Sequence, residues 1–322
     1  MVWRLPLLLV SVALAGCSSN QAQYSPSPPH RVAVPASGCG LLPPAAEGQS
    51  VELAVPAKPA TAEGRVSRRY RLHLPQGYLP SQPQPLVLEF HGAGGTAAGD
   101  DAGSGFSPLA DHHDFLVAYL EAVHLDNGVS AWGNARPLDY GVDDLGYALA
   151  VLAAVKAHAC VDPARIYVTG FSDGGGMTEM MACYAADKLA ASAPMSGNYY
   201  ADTVQPGCNP ARPLPVLEIH GTEDGIVPYP GVGRQQGEFW LWSIPRWLAA
   251  WAMRDGCHPQ PVTFLQSDAV TGLRWEGCRA GSTVEHYRWD GGGHGLPPSI
   301  GGQDPREVVW RFLSAHSLPA RR

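Results

Sequence analysis

The sequence predicts an α/β fold with a mostly parallel central sheet and helices on both of its faces. Two observations support this prediction: short apolar runs of strand length recur along the chain, and stretches with helical periodicity separate them. Such alternation is typical of a parallel sheet whose two faces are both covered. The chain has 322 residues, of which 45% are hydrophobic and 16% are charged, so it can bury a sizeable core.

The order of the elements can be read along the chain. A helix is predicted from 142 to 159, because apolar residues recur there at helical spacing and the acidic pair Asp143 and Asp144 lies in the first turn. Two further helices are predicted over about 176–186 and 305–316. The predicted strands are four short runs rich in β-branched, aromatic and other apolar residues, 86–90, 115–119, 166–169 and 216–219.

Charge and composition exclude several classes of protein. The 22 Lys and Arg against 29 Asp and Glu give a formal charge of −7, without a basic stripe that could bind nucleic-acid phosphate. The 37 Gly and 30 Pro indicate a loop-rich globular chain rather than a disordered one. Collagen, coiled coils and multi-span membrane proteins are excluded as well. We therefore expect a globular protein that does not bind nucleic acid.

The beginning of the chain predicts export. One positive charge precedes an apolar run of about ten residues, which is the pattern of a signal peptide over 1–17. The run ends in L-A-G-C, which resembles the bacterial lipobox and predicts lipidation of Cys17; an ordinary signal peptide cut nearby is the alternative. Residues 18–38 read as a flexible tether rich in Pro and Ser. We expect a single domain over 39–322, anchored to a bacterial membrane and facing the periplasm or the cell exterior, or secreted.

Six cysteines remain if Cys17 is lipidated. An even number of cysteines in an exported protein favours disulfides, although six allow many pairings. A zinc site is the alternative, but no two cysteines have the close spacing that such a site needs. The preferred pairs are Cys183–Cys208 and Cys257–Cys278, which close short loops, and then Cys39–Cys160.

A G-x-S-x-G segment at 170–174 directly follows the predicted strand 166–169 and precedes a predicted helix. This pattern is typical of a nucleophile elbow, a sharp turn that exposes the serine hydroxyl above the sheet. The flanking glycines suit a turn in which neighbouring backbone comes close, and a glycine-rich structural turn is the alternative. Ser172 is therefore the candidate nucleophile, and the backbone N–H of Asp173 is a candidate donor to an oxyanion.

A serine hydroxyl reacts only when a base takes its proton, and the base needs a carboxylate that orients it. In folds of this class the chain order is Ser, then the acid, then His. Asp224 is the candidate acid because it follows the predicted strand 216–219, with Glu223 as its nearest competitor and a purely structural acid as the alternative. His294 is the candidate base, because it lies in a glycine-rich loop before the final helix.

A second oxyanion donor is expected in the loop after the strand 86–90. That loop reads H-G-A-G-G, and its glycines allow backbone N–H groups to approach a developing negative charge. Ala93 is the candidate donor, and a plain turn is the alternative.

Other residues have weaker signals. The segment His112-His113-Asp114 lacks a third metal ligand at helical spacing, so we expect a solvated loop and no metal. Aromatic side chains could form the wall of a substrate cleft, with core packing as the alternative. The candidates are Trp132, Tyr199, Trp240 and Trp242.

From about Cys39 to Leu313 the chain resembles the exported esterase family that contains polyhydroxybutyrate depolymerases and bacterial feruloyl esterases. The resemblance implies the α/β-hydrolase fold, no cofactor, and the roles of nucleophile for Ser172, acid for Asp224 and base for His294. It rests on the segments already quoted and on those at 37–40, 142–146, 161–163, 227–229, 251–252 and 256–257.

One departure from the family bears on the substrate. Depolymerase-like members follow the catalytic His with Thr-Trp-Pro-Gly, whereas this chain has Gly-Leu-Pro-Pro at 295–298. We therefore expect a monomeric serine esterase that hydrolyses feruloyl-type esters of plant polysaccharide. Hydrolysis of polyhydroxybutyrate or short hydroxyalkanoate esters is the alternative, followed by a peptidase and a sugar-binding lipoprotein without catalysis.

Overall fold

A ten-stranded sheet forms the centre of the structure, a computed structural model that describes residues 38–56, 67–124, 128–133, 142–200, 207–232, 241–267 and 269–319. All these residues fall in one unit, Val34–Arg322. The predicted signal peptide, Cys17 and most of the predicted tether lie outside the described residues.

The strands and helices alternate through much of the chain. The strands of the large sheet are β1 (Gln49–Pro56), β2 (Ser67–Leu74), β3 (Gln84–Phe90), β4 (Leu116–Leu120), β7 (Val161–Phe171), β8 (Ala191–Met195), β9 (Val216–Gly221), β10 (Val262–Gln266), β11 (Val270–Trp275) and β12 (Val284–Trp289). A separate small ribbon pairs β5 (Val123–His124) with β6 (Ser130–Ala131). The α-helices are α1 (Ala97–Gly103), α2 (Phe106–His113), α3 (Asp144–His158), α4 (Asp173–Tyr184), α5 (Ile244–Asp255) and α6 (Pro305–Ser314), and a 3₁₀ turn spans Arg279–Gly281.

The middle of the sheet is parallel and its two ends are antiparallel. The spatial order is β1-β2-β4-β3-β7-β8-β9-β12-β11-β10. All neighbours from β4 to β12 pair in parallel, whereas β1, β2, β11 and β10 are added antiparallel at the edges. The predicted mostly parallel sheet is therefore confirmed. In such a sheet the loops that follow the carboxyl ends of the strands lie at one edge, where ligands bind.

The two faces of the sheet bury two separate cores, so that the predicted covering of both faces is confirmed. Successive residues of β3 alternate between them: Leu86 and Leu88 pack with α3, α4 and α5, whereas Val87 packs with α1, α2 and α6. Every residue of β3 is buried, which explains why this strand is apolar almost throughout.

The predicted helices correspond to α3, α4 and α6, with ends that differ by a few residues. Helix α3 begins after Asp143, whose carboxylate accepts the N–H of Gly146 at 2.6 Å. Helix α4 begins at Asp173, three residues before the predicted start, because the nucleophile turn leads directly into the helix.

Three disulfides join the six cysteines in the pairs that the sequence analysis preferred. Such a number of disulfides is typical of a chain that folds outside the reducing cytosol, which supports export. Within the described ranges, no helix combines the length and the apolar character needed to cross a membrane. The bonds are Cys39–Cys160, Cys183–Cys208 and Cys257–Cys278.

Candidate active site

Ser172 occupies a strained turn between β7 and α4. Its φ of 57° and ψ of −119° lie outside the regions that side-chain-bearing residues normally adopt. A conformation of this kind costs on the order of 1–3 kcal/mol and persists only where the surrounding structure enforces it. Here the Ser172 N–H donates to the carbonyl of Met195 at 2.9 Å, at the end of the neighbouring strand β8.

The two glycines of the G-x-S-x-G segment are required by close packing. A Cβ at Gly170 would lie 2.7 Å from the carbonyl oxygen of Phe90, and a Cβ at Gly174 would overlap that carbonyl group. Real Cβ atoms essentially never approach other atoms this closely, so neither position can carry a side chain without a shift of the backbone. The pattern recognised in the sequence thus reflects the tight crossing of α4 over the end of β3.

Ser172, His294 and Asp224 form a continuous hydrogen-bonded chain. The Oγ of Ser172 lies 2.9 Å from Nε2 of His294, and Nδ1 of His294 lies 2.7 Å from Oδ2 of Asp224. A carboxylate only accepts hydrogen bonds, so Nδ1 carries the proton and Nε2 is left to accept the serine proton. The three candidate residues, separated by up to 122 positions in the sequence, are therefore brought together at the carboxyl edge of the sheet.

The turn after β9 fixes the carboxylate of Asp224. Its side chain is fully buried, and Oδ1 accepts the N–H groups of Ile226 at 2.9 Å and Val227 at 2.8 Å. The competitor Glu223 is exposed, and Asp224 rather than Glu223 contacts His294.

The loop that bears His294 is held against the Asp224 turn and against β8. The backbone N–H of Glu223 donates to the carbonyl of Gly292 at 2.8 Å, and Ser196 donates its hydroxyl to the carbonyl of Gly295 at 3.1 Å. The ring of Phe171 lies 4.8 Å from the imidazole. The imidazole of His294 is thus positioned by its own loop and by contacts at the ends of neighbouring strands.

The loop after β3 lies beside Ser172. A Cβ built on Gly92 would be 3.4 Å from the Cβ of Ser172, which places the backbone around Ala93 next to the Ser172 side chain. The loop is pinned from the other side, since the Gly94 N–H donates to the carbonyl of Ser130 at 2.7 Å. Ala93 itself is exposed.

The aromatic candidates for substrate contact need correction. Trp132, Tyr199 and Trp242 are only 3%, 1% and 4% exposed. Tyr199 stacks on Trp247 with ring centroids 3.9 Å apart, and Trp132 packs edge-on against Phe90. Their spacing therefore reflects packing in the hydrophobic core and not an exposed wall of a cleft. Trp240 lies outside the described residues.

The His112-His113 pair has a neighbour that the sequence did not indicate. Potential ligand atoms of His112, His113 and Glu307 lie within 4.8 Å of one another. His113 Nε2 is 2.8 Å from Glu307 Oε2, so these two side chains contact each other directly. Asp114, which adopts a left-handed conformation at the end of α2, is not part of this group.

Behind Asp224 lies a buried polar cluster that the sequence analysis missed. Glu218 and His220 alternate with apolar residues on β9 and share one face of the sheet, where His286 is the partner of Glu218 on β12. All three side chains are fully buried. The available signal was the charged residue inside an otherwise apolar strand.

The pKa values of this cluster are displaced in opposite directions. Burial acts to lower the pKa of His220, but the adjacent Glu218 carboxylate outweighs it and the pKa is raised. Burial acts to raise the pKa of Glu218, but the two imidazoles of His220 and His286 lower it below its ordinary value. Each shift favours the charged form of its group, the carboxylate of Glu218 and the imidazolium of His220.

Comparison with known proteins gives a consistent assignment. The family model for phospholipase/carboxylesterase matches residues 80–267, more than half of the chain. Feruloyl esterase B of Piromyces equi is 30% identical over 256 residues, which cover 78% of this chain and 46% of that protein. Feruloyl esterase C of Emericella nidulans is 27% identical over 256 residues, which cover 77% of this chain and 84% of that protein. This chain thus spans less than half the length of the Piromyces relative.

A solved structure matches over most of the chain. The acetyl xylan esterase from Aspergillus awamori superposes with a TM-score of 0.56 at 15% identity, over 82% of this chain and 99% of that one. The likeness shows the fold, which is that of the α/β-hydrolases. Together, fold and relatives define a carboxylic ester hydrolase. The chain belongs to the phospholipase/carboxylesterase family.

Proposed function

We propose that this enzyme hydrolyses feruloyl-type esters through a Ser172–His294–Asp224 acyl-enzyme mechanism. The observation that carries the proposal is the hydrogen-bonded chain from Ser172 Oγ through both nitrogens of His294 to Asp224. A serine in this geometry is activated without a cofactor, because the imidazole takes its proton as the oxygen attacks.

The steps follow from the positions of the atoms. Ser172 Oγ attacks the ester carbonyl while His294 Nε2 takes its proton, and the buried Asp224 carboxylate stabilises the imidazolium that forms. The backbone N–H groups of Ala93 and Asp173 hold the negative charge on the tetrahedral oxygen. His294 then protonates the departing alcohol, and a water activated by the same imidazole releases the acid from Ser172.

The proposed acyl group is a hydroxycinnamate such as ferulate, esterified to plant polysaccharide. The support is that several relatives covering most of this chain are named feruloyl esterases, and that the residues after His294 depart from the depolymerase-like pattern. A short hydroxyalkanoate ester is the second candidate, on the strength of the family resemblance alone.

The proposed setting is the outside of a bacterial cell, with a monomeric domain tethered through a lipid on Cys17. The segment L-A-G-C at 14–17 motivates the anchor, and the three disulfides support the oxidising compartment. Metabolic labelling with a fatty acid tests it: the full chain should take up label, and Cys17→Ser should not. Label retained in Cys17→Ser would contradict the anchor.

The activity is tested with methyl ferulate, p-nitrophenyl acetate and an oligomer of 3-hydroxybutyrate, each with the Ser172→Ala variant beside the parent. Release of ferulate by the parent alone would support both the mechanism and the acyl class. Cleavage of the other two esters by the parent alone, without release of ferulate, would still support the Ser172–His294–Asp224 mechanism and would favour the hydroxyalkanoate substrate. Equal activity of Ser172→Ala and the parent would contradict the mechanism.

A further inference from the structure

The buried imidazole of His220 lies next to Asp224, with Nε2 3.3 Å from the Oδ2 of the carboxylate. We propose that His220, held in place by Glu218, is a positioning residue that fixes the Asp224 carboxylate and, through it, the orientation and basicity of His294. The inference rests on the proposed function, since it concerns the same Ser172–His294–Asp224 chain.

The ring of His220 connects β9 to the Asp224 turn. Its Nδ1 lies 2.8 Å from Glu218 Oε1, and its Nε2 lies 2.8 Å from the carbonyl oxygen of Val227 and 3.3 Å from Asp224 Oδ2. The N–H of the same Val227 donates to Asp224 Oδ1. His220 therefore holds the turn at its backbone and touches the carboxylate that the turn presents.

Both ring nitrogens of His220 face acceptors. Nδ1 faces a carboxylate, and Nε2 faces a carbonyl oxygen and a second carboxylate, none of which can donate. Both nitrogens must therefore carry hydrogen, which makes the ring an imidazolium. The lowered pKa of Glu218 and the raised pKa of His220 agree with this geometry.

One oxygen of Asp224 serves two histidines. Its Oδ2 lies 2.7 Å from His294 Nδ1 and 3.3 Å from His220 Nε2. The positive charge of His220 thus offsets part of the carboxylate charge that would otherwise stabilise protonated His294. Removing that charge from His220 should therefore move the acid limb of the pH profile of kcat/KM to higher pH.

His286, Tyr229 and Tyr199 complete the surroundings of Glu218 and His220. His286 Nδ1 lies 2.8 Å from Glu218 Oε2, and its Nε2 lies 3.0 Å from the hydroxyl of Tyr229, which can donate to it. The Tyr199 hydroxyl lies 3.5 Å from Glu218 Oε1.

Two substitutions of His220 separate its two hydrogen bonds. His220→Gln places an amide N–H near the position of Nε2, so it retains a donor to the Val227 carbonyl while removing the charge. His220→Asn places its amide near Nδ1, so it retains the bond to Glu218 and leaves the Asp224 turn without its donor. His258→Gln, at an exposed histidine beside the Cys257–Cys278 disulfide, is the matched control.

The measurements are kcat, KM and the pH dependence of kcat/KM for p-nitrophenyl acetate, with the full chain and with thermal unfolding as the check on folding. We expect kcat of His220→Asn to fall about 10–100-fold with KM within about twofold, because the acid is misplaced rather than the substrate. We expect His220→Gln to recover most of kcat, while the acid limb of its pH profile moves to higher pH because the competing cation is gone. The control should match the parent.

The inference would be overturned if His220→Asn and His220→Gln both fold and both keep the parental kcat and the parental acid limb. It would also be overturned if kcat falls only together with the temperature of thermal unfolding while the acid limb does not move. A comparison of ¹⁵N-histidine spectra of the parent and of His220→Gln over a series of pH values tests the charge. We expect the parent to contain a doubly protonated ring that the variant lacks and that persists to higher pH than an ordinary imidazole. Spectra without such a difference would overturn the inference. Activity of Ser172→Ala equal to that of the parent would instead show that the proposed function has failed, whatever the His220 variants do.

Discussion

The carboxylate of Asp173 accepts the backbone N–H of Trp132 across 2.7 Å. Its other oxygen accepts Nδ2 of Asn198 at 3.0 Å, and the indole N–H of Trp132 donates to the carbonyl of His91 at 2.8 Å. Trp132 therefore joins the two segments in which we propose the oxyanion donors, one at Asp173 and one in the loop containing Ala93. The burial of the Trp132 side chain is expected for a residue that braces these two segments, whereas a residue that contacts substrate would be more exposed.

Asp173→Asn should lower kcat about tenfold or more, with a much smaller change in KM. The amide has one accepting oxygen for two donors, so either Trp132 or Asn198 loses its hydrogen bond to residue 173 and the oxyanion donors shift. Steady-state kinetics on p-nitrophenyl acetate measures the effect. Asp187→Asn, at an exposed aspartate paired with Lys188, is the matched control and should behave as the parent. A parental kcat in Asp173→Asn would show that this bracing is dispensable.

Asp224→Asn and Glu223→Gln should differ by orders of magnitude although the residues are adjacent. The amide at 224 can present N–H₂ to His294 Nδ1, which favours the wrong tautomer, so we expect kcat to fall roughly 10³–10⁴-fold. Glu223 is exposed, and its substitution should change kcat less than about twofold. The same kinetic assay compares them, and a larger loss in Glu223→Gln would identify Glu223 as the functional acid.

The disulfides should contribute unequally to stability. Cys39–Cys160 closes 121 residues, whereas Cys257–Cys278 closes 21. A disulfide stabilises the folded state mainly by restricting the unfolded chain, and a longer closed loop gives the larger effect. We therefore expect replacement of Cys39 and Cys160 by Ser to lower the free energy of unfolding by about 1.5 kcal/mol more than replacement of Cys257 and Cys278 by Ser. Urea unfolding of the two double variants checks the difference, and the reverse order would mean that native contacts dominate.

Stability should fall as pH rises because of Glu179. Burial, opposed by the Trp247 N–H and the charge of Arg254, raises the pKa of Glu179 to about 8 from an ordinary value of 4.5. Between those values the folded state retains a proton that the unfolded state has released, so this stabilisation is complete below 4.5 and is lost as pH rises towards 8.

Glu179→Gln removes that titration while retaining an oxygen that can accept from Trp247. The loss of unfolding free energy between about pH 5 and pH 8.5 should therefore be smaller in the variant than in the parent, by more than about 1 kcal/mol. Chemical unfolding at the two pH values measures it. The exposed Glu276 offers the matched control, since Glu276→Gln should retain the parental pH dependence. An unchanged pH dependence in Glu179→Gln would exclude Glu179 as its source.

The sequence was informative where backbone geometry forces a residue type. Ser172 could be predicted because a turn with its φ and ψ, crossed closely by Phe90, needs glycines at 170 and 174. Asp224 and His294 followed from the chain order that the sheet topology imposes. Trp132 was misassigned because composition does not tell whether an aromatic ring faces solvent or the core.

The edge of the sheet and the buried charges were harder to predict. Strand β2 contains three arginines in eight residues, so it lacks the continuous apolar run that identified β3. Strand β8, A-S-A-P-M, has little β-branched content and owes its conformation to pairing with β7 and β9. The role of His220 depends on Glu218 and the Asp224 turn, and these contacts appear only when the chain is folded.

The Cys39–Cys160 bond also determines how mechanical load would enter the domain. Cys160 directly precedes β7, which is hydrogen-bonded to β3 on one side and β8 on the other and leads to the nucleophile turn. A pull on the chain ahead of Cys39 would therefore pass through a covalent bond to an interior strand, without peeling β1 away from β2. An enzyme with this connection can be held under tension from its N-terminal side while the edge strands remain outside the path of the force.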